Sequence, residues 1–153
     1  MICSMSQASV ELEYARIRIN KRIINQIKSR AYRGSNELRN ASLLVLRGGR
    51  SGRRYLVPGT RRHYTASAPG EPPAVRTGTF RRSWMRKVEI LSEGDKYASV
   101  KMYIKNPVRV PNGHLLGDYL ENGNSKIAPR PHHEKIQQKA RPKVVQIFKQ
   151  PYF

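Results

Sequence analysis

The chain has one cysteine and no long apolar run, and each shortage excludes a class of protein. Cys3 has no second cysteine to pair with, so an intrachain disulfide is excluded and the chain fits a reducing compartment. No apolar run approaches the ~20 residues that a transmembrane helix needs. The first residues lack a basic region followed by an apolar stretch, so no secretory signal is predicted. We therefore expect a soluble, intracellular product.

Catalytic and metal-binding motifs are also missing. The ten acidic residues are scattered singly, which predicts no carboxylate pair for general acid and base catalysis. The glycine-rich run at 48–52 lacks the Gly-Lys-Ser/Thr ending of a phosphate-binding loop. His132 and His133 are adjacent, would point to different sides of a helix and have no third ligand at a usable spacing. We expect both histidines at the surface, and neither an enzyme nor a cofactor or metal site.

Positive charge is what the chain has in excess. Thirty Lys and Arg against ten Asp and Glu give a formal net charge of +20 and a pI near 10.9. A charge of this size repels itself and exceeds what solubility requires, which indicates a polyanion or an acidic protein surface as partner. Only 38% of the 153 residues are apolar. We expect one domain, residues 1–153, with a small core and long arms, or a subunit that is completed in an assembly.

Helical spacing is clearest in the first third of the chain. Apolar residues recur every three or four positions between Asn20 and Leu46, which predicts a helix over residues 20–47 that packs on a sheet. Gly48-Gly49 is predicted to end it, and Gly34-Ser35 to kink or divide it. Alternation from Val10 to Ile19 predicts a short strand before the helix.

The next segments are basic and then rich in proline. Residues 48–66, here called the hairpin arm, are predicted to form a protruding β-hairpin around the Pro58-Gly59 turn. Residues 67–79, here called the strap, hold Pro69, Pro72 and Pro73, which force an extended, turning backbone. The arginines of the arm and of the residue before it are Arg47, Arg50, Arg53, Arg54, Arg61 and Arg62.

The second half of the chain predicts strands followed by a helix. Residues 80–105 form a β-hairpin that turns at Glu93-Gly94-Asp95, and residues 106–130 form a loop with a short strand at Asp118–Glu121. Residues 131–153 form a C-terminal helix and tail, which Pro142 is predicted to interrupt. The predicted fold is therefore α+β: a long N-terminal helix packed on a small antiparallel sheet, a protruding basic hairpin and a C-terminal helix.

Two partners explain the hairpin arm equally well. Arginines could bind phosphates while Tyr55 and Tyr64 stack on bases, as in proteins that bind nucleic acid without reading its sequence. The same arginines could pair with carboxylates of a neighbouring protein, since phosphate and carboxylate satisfy a guanidinium group alike. The sequence leaves both interpretations open.

Two segments in order resemble the neck or tail-completion proteins of long-tailed bacteriophages, the small head–tail joining components often described as minor tail proteins. The first is Ser67-Ala-Pro-Gly-Glu-Pro-Pro-Ala-Val-Arg-Thr-Gly-Thr-Phe-Arg-Arg-Ser-Trp84, and the second is Tyr119-Leu-Glu-Asn-Gly-Asn-Ser-Lys-Ile-Ala-Pro-Arg-Pro131. The matching residues are Thr77, Gly78, Arg81, Arg82, Ser83, Tyr119, Glu121, Gly123, Pro129, Arg130 and Pro131. The arm is longer than usual for the family, and His132-His133 replaces its aromatic-aliphatic pair.

The resemblance implies a ring-forming subunit, commonly one of six, where the tail tube joins the capsid connector. Its implied partners are copies of itself, connector and tail-tube or terminator proteins, and DNA in the lumen; its implied location is the virion, after assembly in the bacterial cytoplasm. A nucleic-acid-binding protein outside a virion is the alternative. Predicted contacts with DNA or acidic partners are Arg47, Arg50, Arg53, Arg54, Arg61, Arg62, Arg81 and Arg82. Predicted subunit contacts are Pro69, Pro72, Pro73, Trp84, Tyr119, Glu121, Pro129, Arg130 and Pro131.

Overall fold

The chain begins with one long helix, α1, from Cys3 to Arg47. The computed structural model describes residues 3–94 and 97–152, and for residues 3–13 the backbone alone. The predicted strand from Val10 to Ile19 is wrong, because these residues belong to α1. A helix grows at little cost once it is nucleated, and the Glu, Leu, Ala and Arg residues of this segment favour it. The predicted end before Gly48-Gly49 is confirmed.

The elements that follow make the α+β fold that the sequence predicts. Their strands form two separate antiparallel pairs in the described part of the chain, β1 with β2 and β3 with β4. The bounds are β1 (Arg54–Leu56), β2 (His63–Thr65), α2 (Thr79–Arg82), β3 (Met85–Glu93), β4 (Ala98–Lys105), α3 (Leu116–Asn122) and α4 (His133–Lys149).

The β3–β4 hairpin is confirmed and supplies the sheet on which α1 packs. Val88 pairs with Met102, and the register shifts after Ile90, so that Leu91 bulges out between two ladder pairs. The Gly94 N–H donates to the Tyr97 carbonyl at 2.9 Å and closes the loop. The predicted turn residue Asp95 lies outside the described residues. Lys28 of α1 pairs with Glu93 at 2.8 Å, which ties the end of β3 to the helix.

Gly34 lies within α1 and does not divide it. A Cβ added at Gly34 would lie 2.6 Å from the Met102 sulfur of β4 and 3.5 Å from the Phe148 ring of α4. The neighbouring Ser35 is fully buried and donates its hydroxyl to the Tyr32 carbonyl at 2.8 Å. The Gly-Ser pair is thus where the sheet and the last helix approach α1 most closely, which is why a larger side chain is absent.

The core lies where α1 and α4 meet Trp84. Its buried side chains are Ala41, Leu46, Trp84, Ile136 and Ala140. Trp84 exposes only 4% of its surface, and its carbonyl accepts a hydrogen bond from Arg39 Nε at 3.0 Å. Trp84 therefore packs inside its own chain, rather than at the surface where a subunit contact was predicted.

Helix α4 runs through Pro142 without interruption, so the predicted break is wrong. Proline inside a helix removes one backbone hydrogen bond and costs ~3 kcal/mol. Pro142 itself is exposed, whereas Ile136, Ala140 and Ile147 on the other face are buried. Packing of that face against α1 offsets the cost, and the helix continues.

Residues 106–130 contain the short helix α3 where a strand was predicted at Asp118–Glu121. Asp118 lies in the first turn of α3, where its charge is favoured by the unpaired N–H groups. Gly123 ends the helix with φ of 70°, and its N–H donates to the Tyr119 carbonyl at 2.9 Å. No helix in the described part of the chain combines the length and the apolar character needed to cross a bilayer.

Arg30 of α1 holds the C-terminal segment. It exposes 2% of its surface, and its guanidinium group donates to the Phe148 carbonyl at 3.3 Å and the Pro151 carbonyl at 2.7 Å. Its guanidinium carbon also lies 3.8 Å from the centre of the Tyr152 ring. A cation at the end of α4 is favoured by the carbonyls that the helix leaves unpaired.

Replacing Arg30 with Met should destabilise the protein by about 2–3 kcal/mol, because two carbonyls lose a charged donor in a buried place. Urea unfolding followed by circular dichroism measures this. Arg33→Met is the matched control: Arg33 is exposed, and its guanidinium group bonds only Gln150 among the described residues, at 2.9 Å. Equal effects of the two substitutions would show that Arg30 has no special role in holding the segment.

Candidate functional site

The hairpin arm folds around Pro58-Gly59 as the sequence predicts. Tyr55 of β1 pairs with Tyr64 of β2. The Thr60 N–H donates to the Val57 carbonyl at 3.1 Å, and Gly59 has φ of 74°. A proline followed by a glycine with positive φ is a type II turn.

Aromatic and basic side chains share one face of the arm. The rings of Tyr55 and Tyr64 lie side by side with their centres 5.9 Å apart. Side chains alternate along a strand, so Arg53 and Arg62, each two residues before a tyrosine, belong to the tyrosine face. Arg54 falls on the opposite face, across from Thr65. By this alternation the arm presents a tyrosine pair and two arginines on one face.

Four arginines of the arm are exposed. They are Arg53, Arg54, Arg61 and Arg62. Among the described residues, none of the four guanidinium groups has a hydrogen-bond or ion-pair partner. An unpaired guanidinium group keeps its full charge and five donors for an outside anion. The arm is the candidate site for a polyanion.

Arginines elsewhere in the chain mostly bond neutral oxygens. Within the described residues, eight are seen to donate to backbone carbonyls or side-chain amides: Arg18, Arg30, Arg33, Arg39, Arg50, Arg86, Arg109 and Arg130. These bonds fix the side chains through uncharged acceptors, and among the described residues only Arg50 of the eight has its charge partly balanced by a neighbour, the Glu71 carboxylate. The positive field around the arm is therefore not cancelled by its own chain.

Arg50 differs from the other arginines predicted to contact a partner, because its side chain is used within the fold. It donates to the Gly48 and Gly49 carbonyls at 2.7 Å and to the Val45 and Pro73 carbonyls at 3.0 Å. It thereby satisfies carbonyls at the end of α1 and joins them to the strap. Of the remaining predicted contacts, Arg47 and Arg82 are exposed, and Arg81 is half-buried.

Glu71 of the strap holds the base of the arm. Its carboxylate accepts hydrogen bonds from the Ser51 hydroxyl at 2.6 Å, the Ala68 N–H at 2.8 Å and the Ser51 N–H at 3.1 Å. These bonds, the Ser51 hydroxyl first, lower the pKa of Glu71 to about 2. Sequence reasoning missed Glu71, although Ala68-Pro-Gly-Glu71 has the Pro-Gly pair of a turn that returns the fourth residue to the first.

The first half of the strap is bonded to other segments of its own chain. The Gly70 N–H donates to the Pro129 carbonyl at 3.3 Å, and Arg130 Nη1 donates to the Ser67 carbonyl. Pro73 is buried and Pro69 is exposed. The two segments that carry the family resemblance are therefore in direct contact, and a role of the strap between subunits stays a prediction.

Glu121 of α3 caps the start of α4. Its Oε2 accepts the backbone N–H of His132 at 2.8 Å and of His133 at 3.2 Å. A carboxylate at the N-terminus of a 17-residue helix is favoured by both the free N–H groups and the helix dipole. Burial raises the pKa of Glu121, but the two backbone hydrogen bonds and the neighbouring histidines together outweigh burial, and the net pKa is lowered.

His132 is fully buried, so the expectation that both histidines lie at the surface is wrong. Its Nδ1 lies 2.8 Å from Glu121 Oε2 and 2.9 Å from the Arg130 carbonyl oxygen, and so carries a proton. Its ring also packs edge-on against Phe80 and Trp84. Burial lowers the pKa of His132 more than the nearby Glu121 charge raises it, so the ring is neutral at pH 7.

Glu121, His132 and His133 lie close enough to resemble a metal site. One ligand atom from each falls within 4.8 Å of the others. However, Glu121 Oε2 already accepts two N–H groups, and His132 Nδ1 faces two oxygens as a donor. A cation at this point would break the cap of α4, so we assign the cluster to the fold. Adjacent histidines come together here because His132 precedes the helix and His133 begins it.

The remaining predicted interface residues also have partners in the chain. The Tyr119 hydroxyl accepts a hydrogen bond from Asn112 Nδ2 at 2.9 Å, and the Arg130 N–H donates to the Leu120 carbonyl at 2.6 Å. Pro131 is half-buried and Pro129 is exposed. The motif from 119 to 131 thus builds the joint between α3 and α4, and its exposed proline is the part open to a neighbour.

Comparisons of the chain with protein-family models, with curated protein sequences and with solved structures find no match. The chemistry of the site therefore rests on its own residues. The arm offers fixed positive charges and two aromatic rings, which suit binding of an extended anion.

Stability should fall when the pH is lowered from 7 to 5. Unfolded histidine binds a proton near pH 6.5, whereas folded His132 does so only at a lower pH, so the unfolded state takes up the proton first. His132→Asn keeps an N–H donor near Nδ1 but does not titrate, and should flatten the fall in thermal midpoint. His133→Asn, whose ring is 47% exposed, is the control. An unchanged pH profile in His132→Asn would refute this role.

Proposed function

We propose that the chain is a structural subunit of the head–tail junction of a long-tailed bacteriophage. In this role copies form a ring between the capsid connector and the tail tube, and DNA passes through it. The subunit is assembled in the host cytoplasm and acts in the neck of the virion. Its role is mechanical, and its carboxylates serve as structural acceptors rather than catalytic groups.

The observation that carries the proposal is the contact between the two segments of family resemblance. Arg130 of the second segment donates a hydrogen bond to the Ser67 carbonyl of the strap. His132, the residue directly after the second segment, packs on Phe80 of the first segment. Residues that are 63 and 52 positions apart thus form one structural unit. An ordered pair of motifs that builds a single joint is a more specific resemblance than two isolated matches.

The charge distribution supports a path for DNA. Within the described chain the guanidinium groups of Arg53, Arg54, Arg61 and Arg62 are exposed and unpaired. Other arginines bond neutral oxygens. A ring would gather several such arms around one axis and place their charges near the phosphates of the passing duplex. Contacts of this kind hold DNA without reading its sequence.

Disruption of the gene in its phage or prophage tests the proposal. We expect DNA-filled heads and complete tails that do not join, seen by electron microscopy of lysates, because the neck is incomplete. Expression of the chain from a plasmid should restore joined particles. Normal joined particles in the disrupted strain, or absence of the chain from purified particles, would overturn the proposal.

A sequence-nonspecific nucleic-acid-binding protein is the second candidate, favoured by the tyrosine pair of the arm. Binding of a 30-base-pair duplex can be followed by fluorescence anisotropy over a range of salt concentrations. Replacing the four arm arginines with Gln should lower the slope of log K against log salt by about 2–4, since each lost phosphate contact contributes about 0.9.

The matched control removes four exposed cations outside the arm: Lys105, Lys139, Arg141 and Lys149. Equal loss of slope in both variants would mean that net charge, rather than the arm, attracts DNA. Submicromolar binding in moderate salt, together with unaffected particles after gene disruption, would favour this second candidate over the neck protein.

A further inference from the structure

One face of α1 is polar and basic over about three turns of the helix. With about 100° of rotation per residue, side chains three and four positions apart share a face. The residues of this face line one shallow depression of about 480 Å³. They are here called the basic stripe and are Arg18, Lys21, Arg22, Asn25, Gln26 and Ser29. Every one of these side chains can donate a hydrogen bond, and none of them is acidic.

The basic stripe faces away from the rest of the fold. Ile24, Ile27 and Ala31 lie on the other side of the helix. Ile24 and Ala31 are buried, whereas the stripe residues are exposed, apart from the half-buried Gln26. Ile24 is also the first buried side chain along the described part of α1. The stripe therefore begins on a length of helix that the described fold does not cover, and a large partner can approach it.

The carboxylates nearest to the stripe in the sequence and in the fold are few. No acidic residue lies between Glu13 and Glu37 in the sequence. Glu37 lies 3.3 Å from the ammonium group of Lys143 in α4, and Glu93 of β3 lies 2.8 Å from that of Lys28. Both carboxylates thus pair with lysines outside the stripe. This part of α1 keeps a net positive charge that attracts an outside anion.

The stripe lies far from the base of the hairpin arm. Arg50 Nη2 donates to the Val45 carbonyl at 3.0 Å, which fixes the base of the arm at the C-terminal end of α1. Arg22 precedes Val45 by 23 residues, which is about 35 Å along the helix axis. This distance exceeds the Debye length of about 8 Å at physiological salt, so the stripe and the base of the arm are separate basic surfaces.

A duplex is a partner that offers negative charge along the whole of this distance. It carries one phosphate charge per ~1.7 Å and stays straight over roughly 150 base pairs. An acidic protein would need a matching patch at each end of α1. The regular charge of the duplex therefore suits two separate basic surfaces better than a compact acidic site does.

The shape and the residue types of the stripe also suit a duplex. An α-helix with its side chains is about 10–12 Å wide, and the major groove of B-form DNA is about 12 Å wide. Lysine and arginine bind phosphates, and asparagine, glutamine and serine bind phosphates, sugars or base edges. The stripe has no aromatic ring on which an unpaired base could stack, in contrast to the tyrosine pair of the arm.

We infer that the basic stripe is a second DNA-binding surface, which docks in the major groove of a duplex with its cations on the phosphates. Asn25 and Gln26 lie between the cations and donate to oxygens of the same groove. DNA as the partner rests on the function proposed above. The surface itself is separate from the arm and does not require that copies form a ring.

Replacing the three stripe cations with Gln (Arg18→Gln, Lys21→Gln and Arg22→Gln) tests the surface. Binding of a 30-base-pair duplex is followed by fluorescence anisotropy over a range of salt concentrations. The slope of log K against log salt should fall by about 2–3, since each lost phosphate contact contributes about 0.9. Glutamine favours a helix as lysine and arginine do, and circular dichroism checks that each variant is folded.

The matched control removes the same charge from exposed positions of α4, with Lys139→Gln, Arg141→Gln and Lys149→Gln. Its slope should fall by less than about 1, because these residues lie outside the stripe. Equal losses in the two variants would mean that net charge alone attracts DNA, and would overturn the inference.

The neutral residues of the stripe give a readout that does not depend on charge. Asn25→Ala combined with Gln26→Ala should weaken duplex binding by about threefold or more while the salt slope stays the same, because neutral donors release no counterions. Gln137→Ala combined with Gln138→Ala removes two exposed amides from α4 and is the control. Equal effects of the two pairs would show that the amides of the stripe do not contact DNA.

A single strand of 30 bases separates the stripe from the arm. Replacing the stripe cations should weaken binding of the duplex more than that of the single strand, because the stripe fits a groove and lacks stacking rings. If the stripe variant binds the duplex as the natural chain does but fails to restore joined particles in the disrupted phage, the stripe binds an acidic protein and the inference is overturned.

Unchanged duplex binding of the stripe variant, with a reduced slope in the arm variant, would also overturn the inference. That result would leave the contact of the arm with DNA and the role in the neck standing. Loss of joined particles after gene disruption does not depend on the stripe, so the two proposals can fail separately.

Discussion

The packing of α1 against α4 is the interaction on which the rest of the structure depends. Small residues such as Gly34, Ala41 and Ala140 allow close approach, and Leu46 and Ile136 fill the space beside them. This contact outweighs the cost of Pro142 in α4 and brings the C-terminal segment within reach of Arg30. It also buries Trp84, which packs against Phe80 of the first segment of family resemblance and against His132, the residue directly after the second segment.

The second constraint is a charge that the chain does not neutralise. Arg50 and Arg130 show how cations are used inside the fold: each donates to backbone carbonyls and so fixes the strap without losing its charge. Carboxylates are used as acceptors in the same way, with Glu71 holding the base of the arm and Glu121 capping α4. The exposed cations of the arm are therefore left for a partner, which relates the internal hydrogen bonds to the proposed contact with DNA.

Much of the fold could be predicted because it depends on local signals. Gly48-Gly49 ends α1, Pro58-Gly59 turns the arm, and alternation in 85–105 makes a hairpin. The wrong predictions concern segments whose local pattern fits two kinds of secondary structure. Val10–Ile19 alternates but also continues a helix, and Asp118–Glu121 is too short to show a period. The predicted break at Pro142 considers only the intrinsic cost of proline inside a helix. It leaves out the packing of the opposite face of α4, which offsets that cost.

The sequence by itself determined the α+β class, the positions of the turns and the excess of positive charge, since these follow from residue type and spacing. Only the tertiary structure decided which charged and polar side chains have partners within the chain and which are left to bind another molecule. Arg50 looks like its neighbours in the arm but bonds the end of α1, and His132 looks exposed but is buried behind Glu121. The reason is physical. Whether a side chain can bind an outside partner depends on the carbonyls, carboxylates and rings around it, which come from distant parts of the chain. No local sequence pattern encodes their distances.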